Sequence, residues 1–382
     1  MTLNFTKSEL SKIMAFLGPY ITPKTPTISI RILKGGMLEL FASAGMADGG
    51  SALVRVPCNK SASIPTWKYV DGPTLQGVIS NADEGAIALD FGETALTIKT
   101  SPRSTHELIY VLAERNEVKF TEPSATLKGK DLNLIAMMTE AASTDEARPG
   151  LTRIYLAARK NENEAAAADG YILSFTSIQA QDIESPGAVY SVKALNRTKR
   201  AIKASDDEDV RVGFELDGKG IVPGLVLSVE RDGTQVLLHV PKMDGMFPDY
   251  KTITKNAPKG IQVEIETSMM EKWLKRANAV EGNVFFQALN GFLWFMARNE
   301  DEGQSVDSLA INVKDESVVM HYAASLLKDT LKACAANGKI KLTFPAASNS
   351  PMLFDGEASV IAMPLVSDLK ESPFKNLQPA LI

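Results

Sequence analysis

A pattern that comes round three times constrains this chain more than any other feature. Its 382 residues divide into thirds of about 127, and each third opens with apolar residues spaced three and four apart. Residues 8–17 place Leu10, Ile13, Met14 and Leu17 on one face. Residues 131–142 do the same with Leu132, Leu134, Ile135 and Met138, and residues 268–280 with Met269, Met270, Trp273, Leu274 and Ala277. Such a stripe is the buried side of an amphipathic α-helix. A two-stranded pattern follows each one: residues 27–41 around Gly35-Gly36, 154–175 around residues 161–163, and 284–296 around Asn290-Gly291. Asn-Gly is the pair that a two-residue hairpin turn with two positive φ angles favours. A second helical segment comes next, at 73–80 (interrupted by Gly77), 192–204 and 323–336, the last stopped by Asn337-Gly338. Alternating strands then close each third, at 86–100 around Gly92-Glu93, at 210–240 around Asp217-Gly218 and Asp232-Gly233, and at 339–363.

The pattern predicts an α+β chain of three similar domains, each with two helices packed on antiparallel sheets. Polar Glu114-Arg115-Asn116-Glu117 and the proline-containing stretch 255–259 read as joints. Domains are therefore expected at 1–118, 119–257 and 258–366, followed by a tail, 367–382, whose prolines and polar residues read as flexible.

Charge adds a second constraint. Lysine plus arginine number 41 against 46 acids, so the net charge of −5 does not announce a nucleic-acid binder. The six helical windows nevertheless carry thirteen basic and five acidic residues, so the rest of the chain is strongly acidic. Residues 192–204 alone hold five basic residues and no acid. A surface built from these helices would be positive, which suits contact with phosphate backbone without base reading. Solvated helix faces also carry lysine for solubility, and that reading stays open.

Sites of covalent chemistry are not legible. Cys58 and Cys334 lie far apart, and His106, His239 and His321 are isolated, so neither a metal site nor a nucleophile with its base can be assembled from spacing. No phosphate-binding, nucleophile-elbow or zinc-protease motif occurs. Asp145, Glu146, Asp301, Glu302 and the acids of 206–209 read as solvated loop residues. No catalytic residue, metal or cofactor is expected. With no apolar run of membrane-spanning length and no leader-like N-terminus, a cytoplasmic protein is expected.

Three short motifs are more specific as a set. Ala165-Ala166-Ala167-Ala168-Asp169-Gly170-Tyr171-Ile172-Leu173 sets a turn between two strands. Gly245-Met246-Phe247-Pro248-Asp249-Tyr250 is an aromatic turn, and Met363-Pro364-Leu365-Val366 ends an apolar strand. In order and layout they resemble the sliding clamps, the beta subunits of bacterial DNA polymerase III. The family's A-T-D-G-H-R-L resembles residues 167–173, its G-R-F-P-D-Y residues 245–250, and its terminal M-P-M-R residues 363–366. The likeness covers nearly the whole chain and is weakest in the first third.

The resemblance implies a head-to-tail homodimer forming a ring of six similar domains, with helices inside. Twelve helices at roughly 10 Å spacing give a lining ~120 Å around and a clear bore of ~28 Å, a loose fit for a duplex. It further implies a processivity factor without catalysis that encircles duplex DNA whatever its sequence. Its partners would be the replicative polymerase, a clamp loader and other clamp-motif proteins. Their peptides would enter a pocket formed by Leu151, Ala168, Gly170, Tyr171, Ile172, Leu173, Pro248, Thr252, Ile253, Ser348, Ser350, Met363, Pro364 and Leu365. The DNA-facing residues would be Lys12, Lys193, Arg197, Lys199, Arg200, Lys203, Lys272, Lys275, Arg276, Lys328 and Lys332, and the dimer seam would involve Leu108, Ala279 and Val280. Where the family has a His-Arg pair this chain has Tyr171-Ile172; Thr252 and Val366 replace arginines, which makes the pocket more apolar. The glutamine of 378–382 resembles the family's partner peptides and opens the option that the tail occupies a pocket. Two other readings stand beside the clamp: an α+β enzyme built on Asp169, Asp249 and Tyr250, and a clamp-fold protein that binds partners without encircling DNA.

Overall fold

A computed structural model of the chain describes all residues except 46–48, 59–62, 114–119, 160–161, 179, 182–184, 216–222, 281–282, 300, 302, 367–370, 376 and 378–382. The joint expected at 114–117, the turn at 217–218 and the terminal segment 378–382 lie outside the described residues. The stripes read from the sequence become helices α1 (Lys7–Leu17), α2 (Gly72–Ser80), α3 (Gly129–Met138), α4 (Val192–Ile202), α6 (Thr267–Ala279) and α7 (Ala324–Ala333), with a short α5 (Tyr250–Lys255) between α4 and α6. Three of the longer ones start at a side-chain cap. Thr6 and Glu9 form a reciprocal capping box at α1, the Asp71 carboxylate accepts from Thr74 N at α2, and Ser191 Oγ accepts from Ala194 N at α4.

The chain forms two compact units. The first comprises Met1–Asn133, Ala157–Asn161 and Gln179–Asp244. It contains a four-stranded antiparallel sheet, ordered Thr2–Thr6, Ala86–Phe91, Ala95–Ser101, Ser104–Ile109. A second, longer run pairs Thr27–Leu33 with Met37–Ser43, then Ser51–Pro57, Thr234–Met243, Gly224–Arg231, Asp209–Glu215 and Ala125–Lys128. The union of Ser51–Pro57 with Thr234–Met243 joins sequence-distant hairpins into one sheet, with Val54 opposite Val236. Helices α1 and α4 pack against these two strands and each other, burying Leu10, Ile13, Met14 and Leu17 on one and Leu195, Thr198 and Ile202 on the other. The Asp232-Gly233 turn has φ of 52° and 74°, as the sequence pair requires.

The second unit comprises Leu134–Leu156, Glu162–Ile178 and Gly245–Ile382. Its longer sheet runs Gln262–Glu266, Lys339–Thr343, Met352–Asp355, Ser359–Ala362, Ile172–Ser177, Glu162–Ala168, all antiparallel. Helix α7 covers one face, where Ser174 Oγ donates to Ala333 O at 3.2 Å. A four-stranded sheet, ordered Gly303–Ala310, Phe292–Asn299, Asn283–Leu289, Met320–Ala323, packs on α6 through the Trp273–Phe295 ring contact at 5.3 Å.

Three expectations change. Helix α7 ends at Ala333, not at Asn337-Gly338, because Ala335 turns left-handed (φ 49°) and the Cys334 carbonyl accepts from Ala358 N at 3.0 Å. The stretch expected to be helical over 131–142 narrows to a 3-10 turn at Thr139–Ala141. The tail is not uniformly exposed: Phe374 is 1% exposed against Trp294.

Candidate functional site: an apolar pocket at a strand end

Three neighbouring strands of the second unit end together. Ile172 and Met352 both pair with Ala362. The turn 169–171, residues 363–366 and the loop 345–351 therefore leave the sheet at one edge. The turn forms because Asp169 Oδ1 accepts from the amides of Tyr171 (2.7 Å) and Ile172 (2.8 Å), while Gly170 takes φ 100°. A side chain at 170 would also meet Arg148, 3.3 Å from Nη1. Met363 N then donates to Tyr171 O at 2.8 Å and Leu365 N to His321 O at 2.7 Å, which fixes the strand's continuation as one wall.

A second wall comes from the opposite face of the sheet. Ala166, Ala168, Leu173 and Tyr250 form a buried cluster against which Leu151, Tyr155, Phe175 and Phe247 pack. Tyr155, Phe247 and Tyr250 meet pairwise with ring centroids 5.8–5.9 Å apart. Helix α5 is fastened here: Tyr250 OH donates to Glu164 at 2.6 Å and Lys251 Nζ pairs with the other carboxylate oxygen at 2.6 Å. Asp249 caps it, accepting from Thr252 Oγ1 at 2.6 Å, and that hydroxyl holds the carboxyl below its usual range.

Of the fourteen residues expected in the pocket, the structure ties Leu151, Ala168, Gly170, Tyr171, Ile172, Leu173 and Met363 together by these contacts. Pro364 and Leu365 continue the wall. Pro248, Thr252 and Ile253 lie on the turn and first residues of α5, all exposed. Ser348 and Ser350 sit on the loop that ends at Met352, closed by Ser350 N to Ala347 O at 3.0 Å. Ala168, Ile172 and Leu173 are buried, so they offer little surface for contact. Val366, expected to make this region more apolar, is 87% exposed; Met246 (89% exposed) and the guanidiniums of Arg148, beside Gly170, and Arg153, beside Gly245, are additions that were not expected. Met246 lies inside the aromatic-turn motif and could have been read from it. The arginines flank Pro149-Gly150, a loop with no motif of its own.

Asp169, Asp249 and Tyr250, the centre of the enzyme reading, are each engaged in turn formation, capping or fastening. Among the described residues no group of three or more His, Cys, Asp or Glu is placed to hold a metal, and no helix is long and apolar enough to cross a membrane.

The expected DNA-facing residues divide sharply. On α4, Lys193, Arg197 and Arg200 recur at four- and three-residue spacing opposite the buried Ala194, Leu195, Thr198 and Ala201. Arg197 also donates to Gly49 O at 3.2 Å, and Lys203 ends the helix at φ 46°. Lys199, Arg200, Lys203, Lys272, Lys275 and Lys328 have no carboxylate within 4 Å among the described residues. Lys12 pairs with Asp232 at 2.7 Å, Arg276 with Asp307, and Lys332 with Glu140 at 2.9 Å, a bond that raises the Lys332 ammonium. Helix α2 carries no charge at all.

The architecture has solved counterparts. The DNA polymerase III beta subunit of Pseudomonas aeruginosa aligns with 96% of this chain and 100% of its own at TM-score 0.77 and 17% identity. That of Thermotoga maritima aligns with 96% and 99% at 0.74 and 19%. The Helicobacter pylori beta clamp, solved with carprofen, aligns with 96% and 100% at 0.76 and 16%. The chain has the sliding-clamp fold. No family model matches the chain, and no curated protein sequence does.

Within this clamp fold, two sheet edges carry unusual side chains. Ser104–Ile109 pairs on one side only, and Ile109 (73% exposed), Val111 and Leu112 follow along it. Gly303–Ala310 is the edge of the last four-stranded sheet and exposes Val306. Leu108, expected at the seam, points instead into its own core at 6% exposure, because side chains alternate along a strand and Ile109 takes the outer face. Ala279 is exposed at the end of α6, and Val280 is half-buried.

Proposed function

We propose that this protein is a DNA sliding clamp: a cytoplasmic, non-catalytic processivity factor that closes as a head-to-tail dimer around duplex DNA and captures partner peptides in the pocket at 169–171 and 363–366. Its three clamp domains would span 1–118, 119–257 and 258–366. The replicative polymerase and a clamp loader are the expected partners, with other clamp-motif proteins sharing the pocket.

The location of the exposed large apolar side chains carries this reading. Eleven occur among the described residues. Tyr171, Met246, Ile253, Met363, Leu365 and Val366 belong to the pocket segments; Ile109, Val111, Leu112 and Val306 belong to the two edge strands or the residues just after them; only Met1 lies elsewhere. Clustered apolar exposure marks surfaces that another chain covers. A pocket plus two complementary edges is what a tethering ring requires, and edges at opposite ends of the sequence give the heterologous contact that can close. The cations of α4 and α6 would hold the phosphates loosely and allow sliding.

One observation favours the second reading, a clamp-fold protein that docks partners without encircling DNA. Lys7 and Lys12 of α1 are both paired with acids and α2 is uncharged, so the first third offers little free positive charge from its helices. One experiment separates the two. The protein is incubated with a bead-tethered duplex, the free end is capped with streptavidin, and salt is raised. A clamp stays until a restriction enzyme opens the duplex; a protein released by salt alone, or retained on uncapped DNA, is not a ring.

A further inference from the structure

The second unit's four-stranded sheet has apolar side chains on both faces. Val284, Phe286, Leu293 and Phe295 face inward, with Phe295 against Trp273 of α6. The alternate positions are Phe285, Gln287, Leu289, Phe292, Trp294 and Met296, where a solvent face would normally be polar. The sheet of the first unit with the same strand order, Ser51–Pro57, Met37–Ser43, Thr27–Leu33, Ile64–Asp71, also carries apolar residues on its second face, Phe41, Leu53 and Trp67, and Phe120 packs against them. In the second unit the tail supplies such a cover. Phe374 is buried and stacks on Trp294 with centroids 6.1 Å apart, Leu377 packs on the same cluster, and Ser372 Oγ bonds to Gln287 Oε1. Gln287 Nε2 donates in turn to Ser317 O at 2.9 Å, and Phe374 N donates to Ser372 Oγ at 3.2 Å, so the turn from Ser372 to Phe374 is held on the sheet.

The same cluster reaches the pocket wall. Phe285 packs on it and stacks on the His321 ring at 4.4 Å with the planes 12° apart. The His321 carbonyl is the acceptor for Leu365 N, and Met363 N is held by Tyr171 O. Residues 363–366 are thus bound to the body at two points, with Phe374 anchored further along the same chain. We propose that residues 371–375 and Leu377 form an intramolecular strap whose anchor, Phe374, positions the 363–366 wall for peptide capture. Phe374 touches no peptide; it acts through the aromatic cluster and His321. The inference rests on the pocket reading above and adds a residue outside that pocket.

The test measures binding of a fluorescein-labelled synthetic peptide, with one glutamine followed by leucine and phenylalanine anchors, by anisotropy. Hydrogen exchange at the Met363 and Leu365 amides is followed in parallel. Phe374→Ala is expected to weaken the peptide by about 2- to 30-fold, the range of measured long-range couplings, and to speed exchange at both amides. Truncation after Val366 should match it, and Phe374→Leu should recover part of the affinity. If Phe374→Ala folds poorly, Ser372→Ala and Leu377→Ala carry the same expectation at smaller size. A lowered melting temperature with unchanged affinity and unchanged exchange at 363 and 365 makes the strap a stability device only and overturns the proposal. If Met363→Ala also leaves affinity unchanged, the pocket reading fails instead, and the two failures are told apart.

Discussion

Replacing Ile109 tests the ring most directly. This side chain closes the edge strand Ser104–Ile109, and 73% of it remains exposed in the single chain. Complete burial of an isoleucine contributes about 1.5–3 kcal/mol, so covering the exposed fraction at a seam contributes about 1–2 kcal/mol. A head-to-tail dimer has two identical seams and the substitution occurs in both. Ile109→Ala should therefore cost the dimer about 2–4 kcal/mol, which at 1.4 kcal/mol per tenfold raises its Kd by roughly 30- to 700-fold. Leu108, buried beside it, must stay as it is so that the monomer's core is unchanged. Sedimentation velocity across a dilution series would show the variant dissociating at concentrations where the parent remains dimeric. Thr2→Ala, on the opposite edge of the same sheet, should leave the dimer alone. A parent chain that is monomeric throughout, or an Ile109→Ala dimer with unchanged Kd, refutes the assignment of this edge.

Further outcomes follow from individual residues. Lys199→Glu combined with Lys203→Glu on α4 should reduce the salt dependence of DNA binding, with the log–log slope falling by about one per lost phosphate contact; an unchanged slope would place α4 away from the duplex. Burial lowers the His321 imidazole below its usual value, so the folded chain favours the neutral ring. The stability this contributes is complete above the unfolded value of about 6.5 and is lost as pH falls through the lower folded value. The melting temperature should thus drop between pH 7 and 5 in the parent and less in His321→Phe, whose ring retains the stack on Phe285; equal drops would show that His321 is not the group responsible. Cys334 is fully buried, its thiol raised well above the ordinary value by that burial, and Cys58 is half-buried and raised less strongly. Ellman's reagent should titrate one thiol in the native protein and two in guanidinium; rapid reaction of both would contradict the packing around Cys334.

What the sequence showed, and what it hid, follows from how far apart the interacting residues lie. Helices α1, α4 and α6 were legible because a stripe such as Met270, Trp273, Leu274 and Ala277 can bury itself in only one way. The turns at Asn290-Gly291 and Asp232-Gly233 were legible because few residue pairs tolerate two positive φ angles in succession. Helix α5 was not. Its residues, Tyr250 to Lys255, include Thr252, Ile253 and Thr254, which favour strands, and it exists because Asp249 caps it and Glu164, more than eighty residues earlier, holds its first two side chains. At the candidate site, Gly170 and Met363 could be read from motifs, whereas Arg148 and Arg153, whose guanidiniums lie beside Gly170 and Gly245, flank a loop without one.

The tail shows the same limit from the other side, and also the signal that could have overcome it. Nothing in Glu371-Ser372-Pro373-Phe374-Lys375 marks Phe374 as an anchor, since one aromatic in a polar, proline-broken segment fits a flexible end equally well. The clue lay eighty residues upstream. Strands Asn283–Leu289 and Phe292–Asn299 are apolar at successive positions, where a strand with one wet face alternates. One of their faces is spoken for by α6, so the other needed a cover that the expected two-helix plan did not supply. Phe374 and Leu377 are that cover, so a chain that keeps those outer aromatics while losing these two side chains would leave the sheet face bare, and on the strap proposal would loosen the 363–366 segment as well.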